Sequence, residues 1–452
     1  MEEKSPEARR QVAELDLEGE KITEKCWDES KKMWQIAAPA MLTAVTQFSI
    51  GFVTAAFVGH LGDVELAAVS IVQNVIEGFV YGVMLGMGSA LETLCGQAVG
   101  AGQFNMLGIY LQRSWIITIV TALFLAPFYV FSSPLLKLLR QDKNISDLAG
   151  KYCRWLGNGL LGAAIAGNIS WWILVFAQIV YVVSGYFPDA WTGFSLLAFR
   201  SLTGFLKLSL ASAVMLCLEL WYYTAVILMV GGLQNPAIAV DAISICMNLQ
   251  LWTLMIALGF NAAVSVRVSN ELGAGRPKAA KFSIVVTVLT SATFGVLFTV
   301  VILVTKNDFP KLFTTKPLVL GKTSKLGYFL AATIFLNSIQ PVLHGVAVGA
   351  GWQFLVAFIN TGCYYVVGLP IGALLGYVFK LSAKGIWVGM LVGGLLQTVV
   401  LLFIVIRTNW NKEHLLCKLG SVLEHGVVQL SFNELRHVQH NGLVKYKPIV
   451  LE

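Results

Sequence analysis

Long apolar stretches follow one another along most of this chain and are separated by short polar segments. Ten of these stretches hold about 20 apolar residues, the length that a helix needs to cross a bilayer. They lie near residues 34–59, 67–92, 108–132, 159–184, 203–230, 238–264, 282–304, 327–349, 353–378 and 385–406. A further helical stretch at residues 146–155 is too short to span alone. The pattern predicts an all-α polytopic membrane protein with about ten spans.

The composition supports a membrane protein and excludes other classes. Apolar residues make up 56% of the 452 residues and charged residues only 13%, whereas soluble domains carry about 25% charged residues. A disordered chain would need low hydrophobicity, and a nucleic-acid-binding protein would need Lys and Arg gathered in a patch. The net charge of +7 instead suits loops that face anionic lipid, so we expect the lipid bilayer and no nucleic acid among the partners.

The first 33 residues differ from the rest of the chain. They hold ten acidic and seven basic residues and no apolar core, which predicts a cytosolic tail at 1–33 rather than a cleavable signal peptide. With that end inside, the tails and inner loops carry 20 of the 32 Lys and Arg residues, a moderate positive-inside bias. The cysteines form no CxxC pair and the histidines show no zinc-ligand spacing, so no metal site is predicted.

An internal repeat divides the chain into two lobes. At an offset of 173 residues, Leu85-Gly86 matches Leu258-Gly259, and Gly100-Ala101-Gly102 matches Gly273-Ala274-Gly275. Each copy is a span that ends in a glycine-bearing inner loop. Repeats of equal orientation are one way to build a secondary transporter with the cavity between them. The lobes are predicted at 34–200 and 201–408, followed by a divergent C-terminal tail at 409–452.

The first lobe is predicted to be incomplete. Its last span aligns with the last span of the second lobe through Gly159 and Gly385, at an offset of 226. The two offsets differ by 53 residues, close to the length of two spans and their connection. Four spans are therefore expected in the first lobe and six in the second.

The repeated motifs resemble a known family. The segments from Ser89 to Gly102 and from Val266 to Gly275 are similar to the paired signatures of multidrug and toxic compound extrusion (MATE) transporters. Asn337-Ser338, Gln340 to Leu343, and Gly349 to Gln353 resemble the plant branch known as DETOXIFICATION proteins. The resemblance covers roughly residues 30–412 and implies twelve helices in two six-helix bundles, which export organic cations or secondary metabolites in exchange for H⁺ or Na⁺.

Two features depart from that resemblance. After Trp155 the chain passes to a segment similar to the start of span six at Gly159, so spans four and five are largely missing. The tail beyond Glu413 does not resemble the usual short ending. Both departures leave open a truncated isoform without transport activity.

Glu219 is the predicted proton-coupling residue. It lies well inside the span at 203–230 with no acidic neighbour in that helix, and a carboxylate inside a membrane is a functional candidate by default. When ionised it attracts a cation, and when protonated it releases one. The resemblance adds that relatives carry a coupling Glu in this context. The alternative is a Glu that is hydrogen-bonded to a neighbouring helix for packing.

Other side chains are candidates to bind the transported solute through hydrogen bonds and aromatic surface. They are Tyr222, Asn248, Asn337, Gln340, Tyr364, Tyr365 and, in the first lobe, Glu77. Ordinary polar contacts between helices are the alternative for each of them. The resemblance implies that Asn248 and Asn337 replace carboxylates of some animal members, which favours neutral or weakly charged phenolic cargo. His344 is interpreted as a polar packing residue, and Arg267 and Glu271 as a structural cap or inner gate.

The sequence favours a secondary active antiporter that exports or sequesters organic solutes, such as xenobiotics or flavonoid- or alkaloid-type metabolites, in exchange for protons. No catalytic set or phosphate-binding loop is present in the sequence, so an enzyme is not predicted. We expect no cofactor beyond the proton gradient, with Na⁺ less favoured, and a monomer in the vacuolar or plasma membrane. A lipid-flippase-like relative is the weaker alternative, because the spans offer almost no Lys or Arg.

Overall fold

The computed structural model describes residues 6–59, 68–69, 71–138, 143–153, 161–200, 202–233 and 236–425. Helices make up nearly all of that part, and no β-strand occurs within it. The predicted all-α architecture is confirmed. The predicted junction at residues 155–159 lies outside the described residues, as does the tail beyond residue 425.

Each predicted lobe comprises several helices. The first lobe contains α1 (Pro6–Gly59), α2 (Gly78–Gly100), α3 (Asn105–Val130), α4 (Ser132–Leu138), α5 (Lys143–Cys153) and α6 (Leu161–Val183), with a π-helical turn at Val72–Glu77 before α2. The second lobe contains α7 (Leu202–Gly231), α8 (Pro236–Gly273), α9 (Pro277–Thr305), α10 (Pro317–Ala350), α11 (Gln353–Asn360), α12 (Leu369–Ala373) and α13 (Ser382–Arg407). The π-helical segments Thr361–Gly368 and Leu374–Val378 join α11 and α12 into one rod, and α14 (Trp410–His425) follows α13.

The predicted number of spans is roughly consistent with the structure. Within the described ranges, 8 helices are long and apolar enough to cross a membrane. They coincide with eight of the ten predicted windows. The other two windows, 34–59 and 159–184, fall on α1 and α6, which are helical as predicted.

Helix α10 lies at the centre of the second lobe. Two thirds of its apolar window is buried, the largest share among the spanning helices. Leu330 and Ile334 belong to one apolar cluster of the lobe, and Val342 and Val346 belong to another, farther along the helix. Because α10 is enclosed by its neighbours, polar side chains on it must find partners inside the protein.

Helix α6 has few protein neighbours. Trp172, Ile173 and Phe176 are 64–69% exposed, and Val175 and Val180 are exposed as well. Successive residues of a helix point in directions about 100° apart, so these side chains cover more than one face of α6. Such exposure is what a span would show if the neighbouring spans of its bundle were missing.

The glycine motifs of the two copies pack against each other. A Cβ atom added to Gly100 would lie 2.0 Å from the carbonyl oxygen of Asn270, and one added to Gly273 would lie 2.1 Å from that of Gln97. Gly100 corresponds to Gly273, and Gln97 to Asn270, at the offset of 173 found in the sequence. The contact is therefore reciprocal, as in an interface around a two-fold axis.

The reciprocal relationship extends along the helices. Gly96 packs against Ser269, its own counterpart, with a hypothetical Cβ only 1.9 Å from the Oγ atom of Ser269. Nearer the middle of the membrane, Gly86 of α2 packs on Ala213 of α7, and its counterpart Gly259 of α8 packs on Met41 of α1. Helices α1, α2, α7 and α8 thus join the two lobes around an approximate two-fold axis.

The ends of the chain pack more closely on the second lobe than the tail predictions imply. Glu29 and Met33 are buried, although they lie within the predicted tail at 1–33, and α1 runs through that tail without a break. Trp410 of α14 packs on Trp352 with ring centroids 5.5 Å apart, and Trp352 Nε1 donates to Glu413 at 3.0 Å. Part of each predicted tail segment is therefore packed on the second lobe.

Candidate functional site

Glu219 lies in the middle of α7 and faces α10. Gln340 Nε2 donates to one carboxylate oxygen of Glu219 at 3.1 Å. His344 Nδ1 lies 3.2 Å from the other oxygen. The side chain of Glu219 is 17% exposed and that of His344 is 5% exposed, so the pair lies inside the second lobe.

Three further contacts close these residues into a hydrogen-bonded ring. The amide of Gln340 also donates to the Tyr364 hydroxyl, and that hydroxyl donates to Gln397 Oε1 at 2.6 Å. Gln397 Nε2 in turn lies 2.7 Å from His344 Nε2. We call these five side chains the polar ring. Its members come from α7, α10, the π-helical segment Thr361–Gly368 and α13.

Local sequence features explain how α10 contributes two members. Gln340 and His344 are four residues apart and therefore lie on the same face of the helix. Pro341, between them, has no N–H for the carbonyl of Asn337, which loosens the helix at this point. Its own carbonyl accepts a hydrogen bond from Asn261 of α8 at 2.7 Å, which holds the loosened turn in place.

Tyr364 is fixed by a second tyrosine. The rings of Tyr222 and Tyr364 are stacked, with centroids 4.3 Å apart and an interplanar angle of 8°. The hydroxyl of Tyr222 donates to the carbonyl of Met390 at 3.3 Å, and that of Tyr365 donates to the carbonyl of Leu218 at 2.9 Å. These contacts tie the tyrosines of α7 and of the rod to the surrounding backbone.

The polar ring borders a narrow cavity of about 20 Å³ inside the second lobe, which has room for about one water molecule. Its wall is formed by Tyr222, Tyr223, Thr333, Leu336, Asn337, Gln340, Tyr364, Met390, Leu391 and Gly394. A neighbouring space of about 10 Å³ shares Asn337 and extends toward α8 and α9. The lining of the two spaces includes aromatic rings and amide groups, and no Lys or Arg side chain is among the residues that line either space.

The structure brings most of the predicted site residues together. Glu219, Gln340 and Tyr364 belong to the polar ring, Tyr222 and Asn337 line the adjoining cavity, and Tyr365 lies beside Tyr222 with ring centroids 6.3 Å apart. Their roles in binding and coupling remain predictions.

Two predicted residues lie elsewhere. Asn248 is exposed on α8, where its amide donates to the carbonyl of Ser244 in the same helix at 3.2 Å. Glu77 ends the π-helical turn before α2 and lies near Tyr129 and Tyr152 in the first lobe. Neither side chain contributes to the polar ring.

Three polar residues at the site are missing from the sequence-based candidates: His344, Gln397 and Asn360. His344 was interpreted as a packing residue, although its spacing of four from Gln340 places the two on one face. Gln397 and Asn360 are buried amides within apolar spans, and a polar side chain in such a span signals a specific partner. The sequence shows a polar side chain in an apolar span for both Gln397 and Asn360, but it does not identify the residues that they contact.

A second polar cluster lies at the inner end of the lobes. Arg267 donates from Nε and Nη2 to the two carboxylate oxygens of Glu29, at 2.8 and 2.9 Å, and from Nη2 to Glu271 at 2.8 Å. Burial opposes the charge of Glu29, but hydrogen bonds from Arg267 and Ser283 outweigh it, so the pKa of Glu29 lies below its usual value of 4.5. The cluster fixes the inner end of α1 to the second lobe, close to the predicted inner gate.

Metal binding has no support in the part of the chain that the structure describes. No group of three or more His, Cys, Asp or Glu side chains there is arranged to hold a metal ion.

Comparison with known proteins settles the family. A family model described as MatE matches residues 39–180 and 211–374, which is more than half of the chain. The chain belongs to the MatE family. The sequence-based recognition of a plant MATE protein is thereby confirmed.

Plant relatives match this MATE chain over most of their length. Protein DETOXIFICATION 33 of Arabidopsis thaliana is 49% identical over 451 residues, with 88% of this chain and 93% of the relative covered. Protein DETOXIFICATION 32 of the same plant is 49% identical over 433 residues, with 85% of this chain and 84% of the relative covered.

Solved structures give the same fold. The eukaryotic MATE transporter AtDTX14 superimposes with a TM-score of 0.82 at 28% identity, over 87% of this chain and 98% of that chain. The Vibrio cholerae MATE transporter VcmN, in its bent form, superimposes with a TM-score of 0.72 at 18% identity, over 87% of this chain and 99% of that chain, and shows likeness of fold alone. This MATE chain is therefore an integral, multi-pass membrane protein and a transporter for multidrug or toxic compound efflux rather than an enzyme.

Proposed function

We propose that the chain is a proton-coupled antiporter that exports or sequesters organic solutes and that Glu219 is its coupling residue. The observation that carries the proposal is the placement of Glu219: both its carboxylate oxygens are engaged by the polar ring, and the ring shares Gln340 and Tyr364 with the cavity wall. A proton that binds Glu219 removes the negative charge that the N–H groups of the ring face, which weakens these hydrogen bonds. Because Gln340 belongs to both the ring and the cavity wall, we expect the wall to change with them.

The contacts of Glu219 favour H⁺ over Na⁺. Hard cations are bound by several oxygen ligands. Glu219 faces nitrogen atoms of Gln340 and His344 instead. These nitrogens are suited to hydrogen bonding with a carboxylate and offer no oxygen to a sodium ion.

The side chains that line the cavity have chemistry suited to aromatic cargo that carries hydroxyl groups. Stacked tyrosines offer flat apolar surface, and the amides of Asn337 and Gln340 offer donors and acceptors. We propose neutral or weakly charged phenolic solutes, of the flavonoid type, as the preferred substrates and the vacuolar or plasma membrane as the location. The chain would act as a monomer.

The test is uptake of radiolabelled quercetin, a flavonol, into proteoliposomes under an imposed pH gradient. Glu219→Gln removes the titrating group while it keeps the size of the side chain, and we expect gradient-driven uptake to fall at least about tenfold, the scale of losing one specific interaction. Asp308→Asn, which changes an exposed carboxylate that pairs with Lys311, serves as the control and should leave uptake unchanged. Coupled uptake by the Gln variant at the wild-type rate would refute the role of Glu219.

A second candidate is a truncated isoform that inserts into the membrane but does not transport. Two observations favour it. First, side chains of α6 are exposed on several faces of that helix. Second, the alignment with DETOXIFICATION 33 spans 451 positions but includes only 88% of the 452 residues of this chain, so some aligned positions have no residue in this chain. The difference, about 50 positions, is close to two spans and their connection. The corresponding segment of that relative, inserted between Trp155 and Gly159, should then create transport that the natural chain lacks. Equal rates for the two chains would eliminate this candidate.

A further inference from the structure

The orientation of His344 follows from a chain of hydrogen bonds that begins at a backbone carbonyl. Asn360 Nδ2 donates to the carbonyl oxygen of Met215 at 3.2 Å, and a carbonyl oxygen can only accept. The amide oxygen of Asn360 therefore faces the other way, where Gln397 Nε2 donates to it at 2.6 Å. Gln397 is thus held with its nitrogen toward both Asn360 and His344.

This orientation selects one form of the imidazole. Since Gln397 presents an N–H donor, the Nε2 atom of His344 must accept. A neutral imidazole that accepts at one nitrogen carries its proton on the other. The proton of His344 is therefore on Nδ1 and points at the carboxylate of Glu219. The Tyr364 hydroxyl fits the same arrangement, because it donates to the oxygen of Gln397 that is left free.

With Glu219 ionised and His344 neutral, every contact of the ring joins one donor to one acceptor. A proton on His344 Nε2 would face the amide nitrogen of Gln397 and would break that contact. A proton on Glu219 removes the negative charge that the N–H groups of Gln340 and His344 face, and therefore weakens both hydrogen bonds.

We propose that His344 is a positioning residue of the Glu219 site: Asn360 and Gln397 hold it as the Nδ1–H form, in which it donates to Glu219 and sets the affinity of that carboxylate for protons. The inference rests on the proposed function, because it concerns the same coupling site. It adds to that site the residue His344, the Nδ1–H tautomer of its imidazole ring, and the two amides, Asn360 and Gln397, that hold this tautomer. Hydrogen bonding to a carboxylate favours its ionised form.

Other titratable groups near the pair do not replace this role. Tyr223 on α7 and Tyr364 on the rod act electrostatically with Glu219. Tyr222 stacks on Tyr364. Glu92 lies on α2 and is hydrogen-bonded to Ser265 of α8. The other charged residues of the helices around α10 lie toward the helix ends: Lys207 on α7, Asp241, Arg267 and Glu271 on α8, Lys278 and Lys281 on α9, Lys322 and Lys325 on α10 itself, and Lys384 and Arg407 on α13.

Infrared difference spectroscopy on the purified full chain in liposomes tests the proposal without any cargo. As the pH is stepped, the C=O stretch of a protonated carboxyl group grows, and the part that Glu219→Gln abolishes belongs to Glu219. His344→Leu removes the donor and leaves an apolar side chain of similar bulk. We expect the pH at which half of the Glu219 band is present to rise by about one unit, a tenfold change in proton affinity.

A conservative variant separates this role from packing. His344→Gln can donate to Glu219 and accept from Gln397 but cannot itself titrate, and we expect it to keep the half-titration pH within about 0.3 units of the wild type, less than half a kcal/mol in proton binding. His414→Gln changes a histidine whose Nδ1 lies 2.9 Å from the carbonyl of Leu272 at the inner end, and it should cause no shift.

Two outcomes would overturn the proposal: an unchanged half-titration pH in His344→Leu, or an equal shift in the Leu and Gln variants. Thermal unfolding of each variant shows whether it is folded, and the Gln variant keeps the test open if the Leu variant is not. Should the band shift as expected while Glu219→Gln transports normally, the proposed function fails and the role of His344 stands.

Discussion

At the scale of single residues, the site depends on pairing each buried polar atom with a partner. Gln397 shows this most clearly, since its amide meets Tyr364, His344 and Asn360 at 2.6–2.7 Å and is completely buried. A buried donor or acceptor that loses its partner keeps the full cost of its desolvation. The ring therefore behaves as a unit, in which the loss of one member leaves two others unsatisfied.

Tyr364→Phe should destabilise the protein more than Tyr365→Phe. The first change leaves the oxygen of Gln397 and one N–H of Gln340 without partners, at a cost of about 1–3 kcal/mol. The second removes a bond to the carbonyl of Leu218, which lies within α7 and keeps its helical hydrogen bond, so about 1 kcal/mol or less is expected. Thermal unfolding in detergent measures the difference, and equal losses would contradict the ring as a closed unit.

At the scale of elements, α1 is more than the first span, because its inner end is tied to α8 and α9 through Glu29. Arg267 of α8 and Ser283 of α9 both donate to that carboxylate. The aromatic ring of Trp34 adds contacts with Phe260 and Phe294 at 5.5 and 5.8 Å. The inner end of α1 is therefore held by helices of the second lobe, although α1 is counted with the first lobe.

Acid should loosen this attachment. The pKa of Glu29 is lower in the folded protein than its usual value of 4.5, so its ionisation contributes stability that is fully present above that value and is lost as the pH falls through the folded pKa. Glu29→Gln should lower the free energy of unfolding at pH 7 by about 2 kcal/mol, the scale of a hydrogen bond to a charged group. Its stability should then vary less than that of the wild type below pH 4.5.

Denaturation in detergent at pH 7 and at acidic pH measures both effects. Glu24→Gln alters an exposed carboxylate on the same helix and should behave like the wild type. A Glu29 variant as stable as this control at pH 7 would show that the attachment contributes nothing.

Span positions were predictable from the sequence, whereas the partners of the polar side chains were not. The length of an apolar run is a local property, and each predicted window coincides with helical residues in the part of the chain that the structure describes. The meeting of Glu219 with His344 depends on how α7 and α10 pack, and the tautomer of His344 depends on Asn360 and Gln397 from two further elements. The residue pattern along one helix does not show which residues of other helices it will contact. For this reason the sequence alone favours a packing role for His344.

At the scale of the whole molecule, the two lobes meet through equivalent glycines, and equivalent substitutions should have equivalent effects. Gly100→Ala and Gly273→Ala would each place a methyl group about 2 Å from a backbone oxygen of the other lobe, which forces the inner ends apart. We expect both variants to reduce transport of the quercetin probe to a similar extent and to lower the unfolding temperature.

Gly88→Ala is the control on α2, because a Cβ at that position meets no atom within 4 Å. It should transport at the wild-type rate. If only one of the two interface variants were impaired, the two glycine contacts would contribute unequally to transport and stability, although their geometries are equivalent.

The pairing of Gly96 with Ser269 also bears on the origin of the fold. In a symmetric dimer of identical bundles, a position on the axis must face a copy of itself, so two serines would crowd there and two glycines would leave a gap. Covalent duplication removes this restriction, since the two copies can then change independently. A fused pair can therefore place a small residue on one side of the axis and a larger one on the other. The same freedom allows one lobe to acquire a feature such as the polar ring independently of the other lobe.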